Sequence, residues 1–370
     1  MSALPTAWVE VDTDAIRHNY REIKRFVGPD VDVMAVIKTN GCGHGLELVA
    51  EALRNEAGWF GVSTVEEGIR ARSVAPNSRI LVFHPCGPWN AAALVEHDLI
   101  ATVDCETGAS ALAEAGRRAG RLPMAHLKID TGMSRFGVRA GDFETMLRVI
   151  AVPGIAWDGV YTHLSIAAAR GNGARLHLTA FDAALARLQE AGFQPPVVHA
   201  LNSAGTLRFA EHRYRLVRCG TLIYGQYQPN VPHSLNLKPT WTLKARIVSL
   251  RELPAGTGVG YGAEGITRRP SRIATLPIGF ADGPTLLPRS AFERERGVRA
   301  LVKKALGRDR MMVQTEHGAA PVIGRVASQS MMLDVTDLPV VKLGDVVEVP
   351  SRRLVVGEHI PRVPITGGTG

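Results

Sequence analysis

VDVMAVIKTNGCGHGLELVAEALRNEAGWFGV, residues 31–62, reads as a strand, a glycine-rich turn, an amphipathic helix and the start of a second strand. Val31 to Ile37 is an apolar run of strand length, Leu46 to Arg54 has helical spacing, and Phe60 to Val62 is apolar again. The pattern recurs between about Thr13 and Leu222. Further strand candidates are Ile80 to Phe83, Ala101 to Val103, Ala125 to Ile129, Gly159 to His163, Val197 to Ala200 and Leu216 to Arg218, while Val65 to Arg72 and Leu176 to Glu190 have helical spacing. Alternating strands and helices predict βα units around a parallel sheet, and eight of them predict a TIM (β/α)8 barrel. Chemistry in such a barrel gathers at the carboxyl ends of the strands, so polar residues there become candidates.

After about Pro232 the texture changes to β-rich segments broken by Gly and Pro, including Leu243 to Leu250, Ile273 to Ile278, Pro321 to Val326 and Val346 to Val347. The expected fold is therefore α/β, with a barrel over residues 11–232 and an all-β domain over residues 233–370. The early run Trp8 to Val11 is expected to bring residues 1–10 into that β domain.

The chain has 370 residues, enough for two cores, and its composition (45% hydrophobic, 21% charged) is that of a globular protein. No apolar run reaches the length of a membrane span, and MSALPTAWVEVD lacks the regions of a signal peptide, so the expected location is the cytoplasm. Cys42, Cys86, Cys105 and Cys219 are scattered without CxxC spacing, which argues against a zinc site and a disulfide framework. The net charge of +8 comes with evenly mixed signs over most of the chain, and nucleic acid is not expected as a partner. Pro284 to Met311 is the exception: Arg289, Arg294, Arg296, Arg299, Lys303, Lys304, Arg308 and Arg310 face only Glu293, Glu295 and Asp309. FERERGVRALVKKALG within it has helical spacing and alternating charge, as a solvated helix does; a docking surface for an acidic partner is the alternative.

Lys38 ends the apolar strand VMAVIK and is followed by TNGCGHG, which delivers an amine from a rigid strand into a backbone-exposing turn. A dry site there favours the free amine that attacks an aldehyde, as a Schiff-base lysine must. A lysine snorkelling at a strand end reads equally well from this segment alone.

AVIKTNGCGHG, HLKIDTGMSRFG, YTH, HALNSAG, VRCGTLIYG, GVGYGAEG, IGFADG and GRVASQ follow one another along the chain. In order and spacing they resemble the alanine racemase family over nearly the whole length. The resemblance implies a homodimeric amino acid racemase with pyridoxal phosphate on Lys38 and a second acid/base, Tyr261, reaching in from the other subunit. Two bases on opposite faces can remove a proton from one side of Cα and return one to the other. His163 matches the histidine that assists the phenol, which is otherwise a poor base at neutral pH. Arg218 matches the arginine facing the pyridine nitrogen, where an always-protonated guanidinium weakens the ring as an electron sink. Arg135 resembles the arginine on the cofactor's phenolic oxygen and the substrate carboxylate, and Lys128 a lysine, often carbamylated, that orients it. Ser203, Gly220 and Thr221 match phosphate-cup positions. His199 reads as a structural histidine, and no metal ligand set is expected.

Several positions depart from the pattern. Cys42 and Arg362 stand where two tyrosines help hold the phosphate, Ser328 and Gln329 replace a Met-Asp pair, Phe280 replaces a tyrosine, and Ala168 replaces an acid. Arg362 is a candidate for the phosphate or the substrate, and Ser328 and Gln329 for the substrate. A rewritten entrance beside a retained core implies a substrate larger or more polar than alanine. A changed reaction on the same cofactor (elimination, replacement or decarboxylation) and a noncatalytic cofactor-binding protein are the competing readings.

Overall fold

The computed structural model describes residues 5–169, 171–227, 231–286 and 311–367. It divides into two compact units. One runs from Asp12 to Thr240 and takes in the chain from Thr366; the other combines the residues up to Val11 with Trp241–Ile365.

The strands, in chain order, are β1 (Ala7–Asp12), β2 (Asp32–Val36), β3 (Trp59–Val62), β4 (Arg79–Pro85), β5 (Ile100–Val103), β6 (Met124–Asp130), β7 (Val138–Arg139), β8 (Ala156–Tyr161), β9 (Val197–His199) and β10 (Leu216–Cys219). In the first unit the parallel order is β10-β2-β3-β4-β5-β6-β8-β9, with β7 beside β6. A single parallel bridge between Asn202 and Arg218 nearly closes the ring, supported by the Arg218 N–H donating to Leu201 C=O at 3.0 Å. The expected barrel is thus observed. Met34, Trp59, Leu81, Ile100, Tyr161, Val197 and Leu216 form one buried cluster, with Phe83 and Met124 packed against it, so every strand of the ring contributes to the interior. Burying each large apolar side chain contributes about 1.5–3 kcal/mol. Gly61 is required by this packing, since a Cβ there would lie 2.5 Å from Phe83 Cζ.

Several helices between the strands begin at residues whose side chains cap them. Asp12 accepts from the Ala15 N–H for Thr13–Val27, Thr64 from Glu67 for Val65–Val74, and Asn202 from Gly205 for Ser203–Arg208. Among the described residues no helix is long and apolar enough to cross a membrane.

Among the described residues the second unit is a nine-stranded sheet plus a hairpin. Its strands are β11 (Trp241–Arg246), β12 (Ser249–Leu253), β13 (Gly258–Val259), β14 (Gly265–Ile266), β15 (Ser271–Leu276), β16 (Met312–Thr315), β17 (Gly318–Ile323), β18 (Met331–Asp334), β19 (Val346–Glu348) and β20 (Arg362–Ile365). The order is β12-β15-β18-β17-β16-β19-β11-β1-β20, and β1 pairs antiparallel with β11. The continuous run expected from Leu243 to Leu250 is two strands instead. Its break falls where consecutive amides part company: the Ile247 N–H donates to Asp345 C=O and the Val248 N–H to Thr275 C=O.

The units part after Thr240 rather than at residue 232. Asn19 holds Lys238 through both N–H and C=O at 2.7 and 2.9 Å, and the Thr240 hydroxyl meets Tyr224 C=O and His44 Nε2. Those bonds keep the segment before β11 on the barrel. The basic residues between Arg289 and Arg310 lie outside the described residues.

Candidate active site

Lys38 stands just past β2, and the backbone immediately after it is unusual. Thr39, Asn40, Gly41 and Cys42 all have φ between 52° and 62°, one left-handed turn in which only Gly is at ease and Asn tolerable. Each L-residue held this way costs about 1–2 kcal/mol. Surrounding bonds meet that cost. Asn40 Oδ1 accepts from the Leu46 N–H (2.9 Å) and Arg70 (3.1 Å), Glu67 accepts from the N–H groups of Thr39 and Ser63, and Arg70 is paired bidentately with Glu47. His44 stacks on Tyr224 at 4.4 Å, and the Tyr224 hydroxyl donates to Val36 C=O beside Lys38.

Across the barrel a buried polar chain crosses four strands. Arg218 donates to His199 Nδ1 (2.7 Å), His199 Nε2 meets His126 Nδ1 (2.9 Å), and His126 Nε2 meets Asp158 (2.8 Å), which also pairs with Arg79. The other Arg218 nitrogen donates to Thr162 C=O and Ala200 C=O, with His163 Nδ1 at 3.4 Å. Tyr161 stacks flat on His199 at 4.6 Å, and Lys128 Nζ lies 4.3 Å from the Tyr161 ring. Burial, then the Arg218 charge, holds His163, His199 and Lys128 well below their ordinary values. Burial also brings Arg218 down to about 10, which leaves it charged at neutral pH.

Lys38 and the Arg218 end of this chain meet at one cavity of about 440 Å³. Lys38, Lys128, Arg135, His163, Ser203, Arg218, Gly220 and Thr221 all line it, and so does Ala168. Its described lining contains no Asp or Glu. Ser203 Oγ accepts the Gly220 N–H at 3.1 Å, joining two of the expected phosphate contacts. Lys128 Nζ is buried without a hydrogen-bond partner among the described residues. Cys42, a phosphate candidate, is not part of this wall. Ser63, Phe83, His84, Phe136, Ser165 and Asn202 are lining residues that sequence reasoning did not single out. For His84 the signal was present, because it is a polar residue at the carboxyl end of a strand.

The remaining candidates belong to the β unit. Tyr261 opens a short turn between Gly260 and Gly262 and is 70% exposed. Ser328 and Gln329 are exposed, and the Ser328 carbonyl accepts the Ala281 N–H next to Phe280. Arg362 donates to the carbonyls of Val356, Gly357 and Ile360, which gives its guanidinium an occupation within its own unit.

Two family models cover this architecture: alanine racemase, N-terminal domain, over residues 11–228, and alanine racemase, C-terminal domain, over residues 240–360. The chain belongs to the alanine racemase family. It is 37% identical to the alanine racemase of Symbiobacterium thermophilum, across 99% of this chain and 93% of that one. With the alanine racemase of Methanococcus maripaludis it shares 32% identity, across 92% and 88%. The solved alanine racemase of Bacillus anthracis with bound L-Ala-P matches with a TM-score of 0.84 at 27% identity, across 100% and 97%. This is accordingly an alanine racemase-like isomerase, of a family dependent on pyridoxal phosphate. The residues present fit that cofactor: an amine at a strand end for its aldehyde, the Ser203 hydroxyl for a phosphate oxygen, and the buried Arg218 guanidinium in a described wall without carboxylates.

Proposed function

We propose that the protein is a homodimeric amino acid racemase whose two opposed acid/base groups are Lys38 and the Tyr261 of a second copy, acting on an amino acid larger or more polar than alanine. The observation that carries the reading is the single cavity wall in which Lys38, Lys128, Arg135, His163 and Arg218 converge with Ser203 and Gly220. Tyr261 supports the dimer: an exposed phenol on a glycine turn is presented outward.

Pyridoxal phosphate, when bound, withdraws electrons and so acidifies the substrate Cα–H. Lys38 would hold the cofactor, and Ser203, Gly220 and Thr221 its phosphate. Lys38 Nζ takes or gives the proton on one face, and Tyr261 Oη does so on the other. His163, kept neutral by burial and by Arg218, can accept a hydrogen bond from the Tyr261 hydroxyl and orient it. Arg218 cannot accept a proton, and its bonds to His199, Thr162 and Ala200 fix its position. Arg135 offers a fork to the substrate carboxylate. The altered entrance, with Ala168 on the cavity wall and Ser328 and Gln329 exposed on the β unit, supports the larger or more polar substrate.

The test is a panel of single-enantiomer amino acids in D2O with added pyridoxal phosphate, following Cα exchange by NMR and enantiomer ratio by chiral chromatography. Exchange with inversion, fastest on a larger or polar amino acid, is expected. Inversion of alanine alone overturns the substrate reading, and consumption without inversion overturns the racemase reading in favour of elimination or decarboxylation.

A further inference from the structure

Phe136 has two basic side chains near its ring. The His84 ring stands edge-on to it at 5.8 Å, and the Arg135 guanidinium lies 5.6 Å from its centre. His84 comes from the carboxyl end of β4 and Arg135 from the loop after β6, so two separate elements bring these groups to the same cavity. Both are exposed, and neither side chain has a hydrogen bond or ion pair among the described residues.

Acids in the neighbourhood are otherwise engaged. Glu67 accepts from Thr39 and Ser63, Asp104 from the Gly137 N–H, and Asp130 from the N–H groups of Gly132, Met133 and Ser134. Glu66 senses the charge of His84, but its own backbone and Thr64 act on it more strongly. The described cavity wall itself carries no carboxylate. Two uncommitted basic groups, brought from separate elements to one aromatic ring on one cavity wall, suit two anionic groups on different carbons of one ligand.

We infer that His84 is a specificity-determining residue, and that with Arg135 it selects an amino acid bearing a second acidic group, of the aminodicarboxylic class. Arg135 takes one carboxylate in its planar fork, and His84 contributes a single charge-assisted N–H to the other. For the reaction, though not for binding two anions, this rests on the racemase reading above.

Succinate and butyrate have the same chain length and differ in one carboxylate, and neither can be racemised. Calorimetric titration of each into the protein saturated with pyridoxal phosphate therefore measures the second anion site without turnover. Succinate is expected to bind about tenfold to a hundredfold tighter than butyrate, the range of a charge-assisted hydrogen bond. His84→Ala should abolish that preference, and His84→Gln, which keeps an N–H donor, should keep part of it. Equal affinity in the unaltered protein, or a preference that survives both substitutions, overturns the inference. If succinate preference holds and no amino acid exchanges its Cα proton, the racemase reading fails and the dianion site stands.

Discussion

Arg218 donates to Nδ1 of His199 at 2.7 Å, and that bond assigns the protons on two buried histidines. A guanidinium has no acceptor, so His199 Nδ1 carries the lone pair and its proton sits on Nε2. That proton points to His126 Nδ1, which puts the His126 proton on Nε2, facing Asp158. Neutral rings satisfy every bond. Protonating either one would set two donors against each other, in keeping with the depressed pKa values of both.

The polar chain should therefore behave as a unit. His199→Ala leaves Arg218 and His126 each short of a partner and is expected to cost about 3 kcal/mol, as is His126→Ala. Because the second truncation removes a group already stranded by the first, the double variant should fall short of the sum by about 1–2 kcal/mol. Urea denaturation of the four proteins measures this. Strict additivity would mean that the bonds are not coupled.

The same residues set an acid limit on stability. In the folded protein His126, His163 and His199 are held below the ordinary histidine value of 6.5, chiefly by burial. Below pH 6.5 the unfolded chain binds protons that the folded chain refuses, so stability falls as pH drops, by up to about 1.4 kcal/mol per pH unit for each histidine. Above 6.5 these groups contribute no slope. Burial raises Asp158, but bonds from His126 and Arg79 prevail and hold it low, which extends the loss to more acid pH. Denaturation between pH 5 and 8 should show the fall, and His199→Asn should flatten it; an unchanged slope in that variant would disprove the assignment.

Barrel strands were legible because β2, β3 and β4 are apolar runs bounded by turn residues, a signal contained within a few residues. Lys38, Arg135 and Arg218 were legible through the blocks around them. The split at Ile247 was not, because it depends on which distant strand each amide meets. Nor was the left-handed turn, since Thr39 and Cys42 have no preference for positive φ and are held there by Glu67, Asn40 and their neighbours. The Asp158 to Arg218 chain joins β8, β6, β9 and β10, and nothing local to His126 announces its partners.

Lys128 offers a separate test. Its amine is buried without a hydrogen-bond partner among the described residues, and burial drives its pKa well below 10.5. Below 10.5 the unfolded chain binds this proton more readily than the folded chain does, so the site lowers stability, and less so as pH rises toward 10.5. Lys128→Met keeps the volume and removes the amine. It should raise stability at pH 7 by about 1–2 kcal/mol, with a smaller gain at pH 9, while lowering kcat/KM through Arg135. Loss of stability in protein prepared without bicarbonate would show that the amine has a bonded partner in solution.

Whether Tyr261 serves its own chain or another can be read from mixed dimers. Tyr261→Phe should lower exchange about 10²- to 10⁴-fold in the direction that needs the phenol, the usual worth of a general acid/base. Lys38→Ala should be inactive. If the phenol crosses between subunits, a dimer with one chain of each variant has one complete site and one site lacking both groups. In the complete site Lys38 comes from the Tyr261→Phe chain and Tyr261 from the Lys38→Ala chain. Random mixing of equal amounts would then restore about a quarter of the activity of the unaltered protein, since half the dimers are mixed and each has one working site. If each chain supplies both groups to its own cavity, every site in the mixture lacks one of them and nothing is restored. Co-refolding or co-expression followed by the D2O exchange assay separates these outcomes. Absence of recovery, with mixed dimers demonstrated by mass spectrometry, would confine Tyr261 to its own chain.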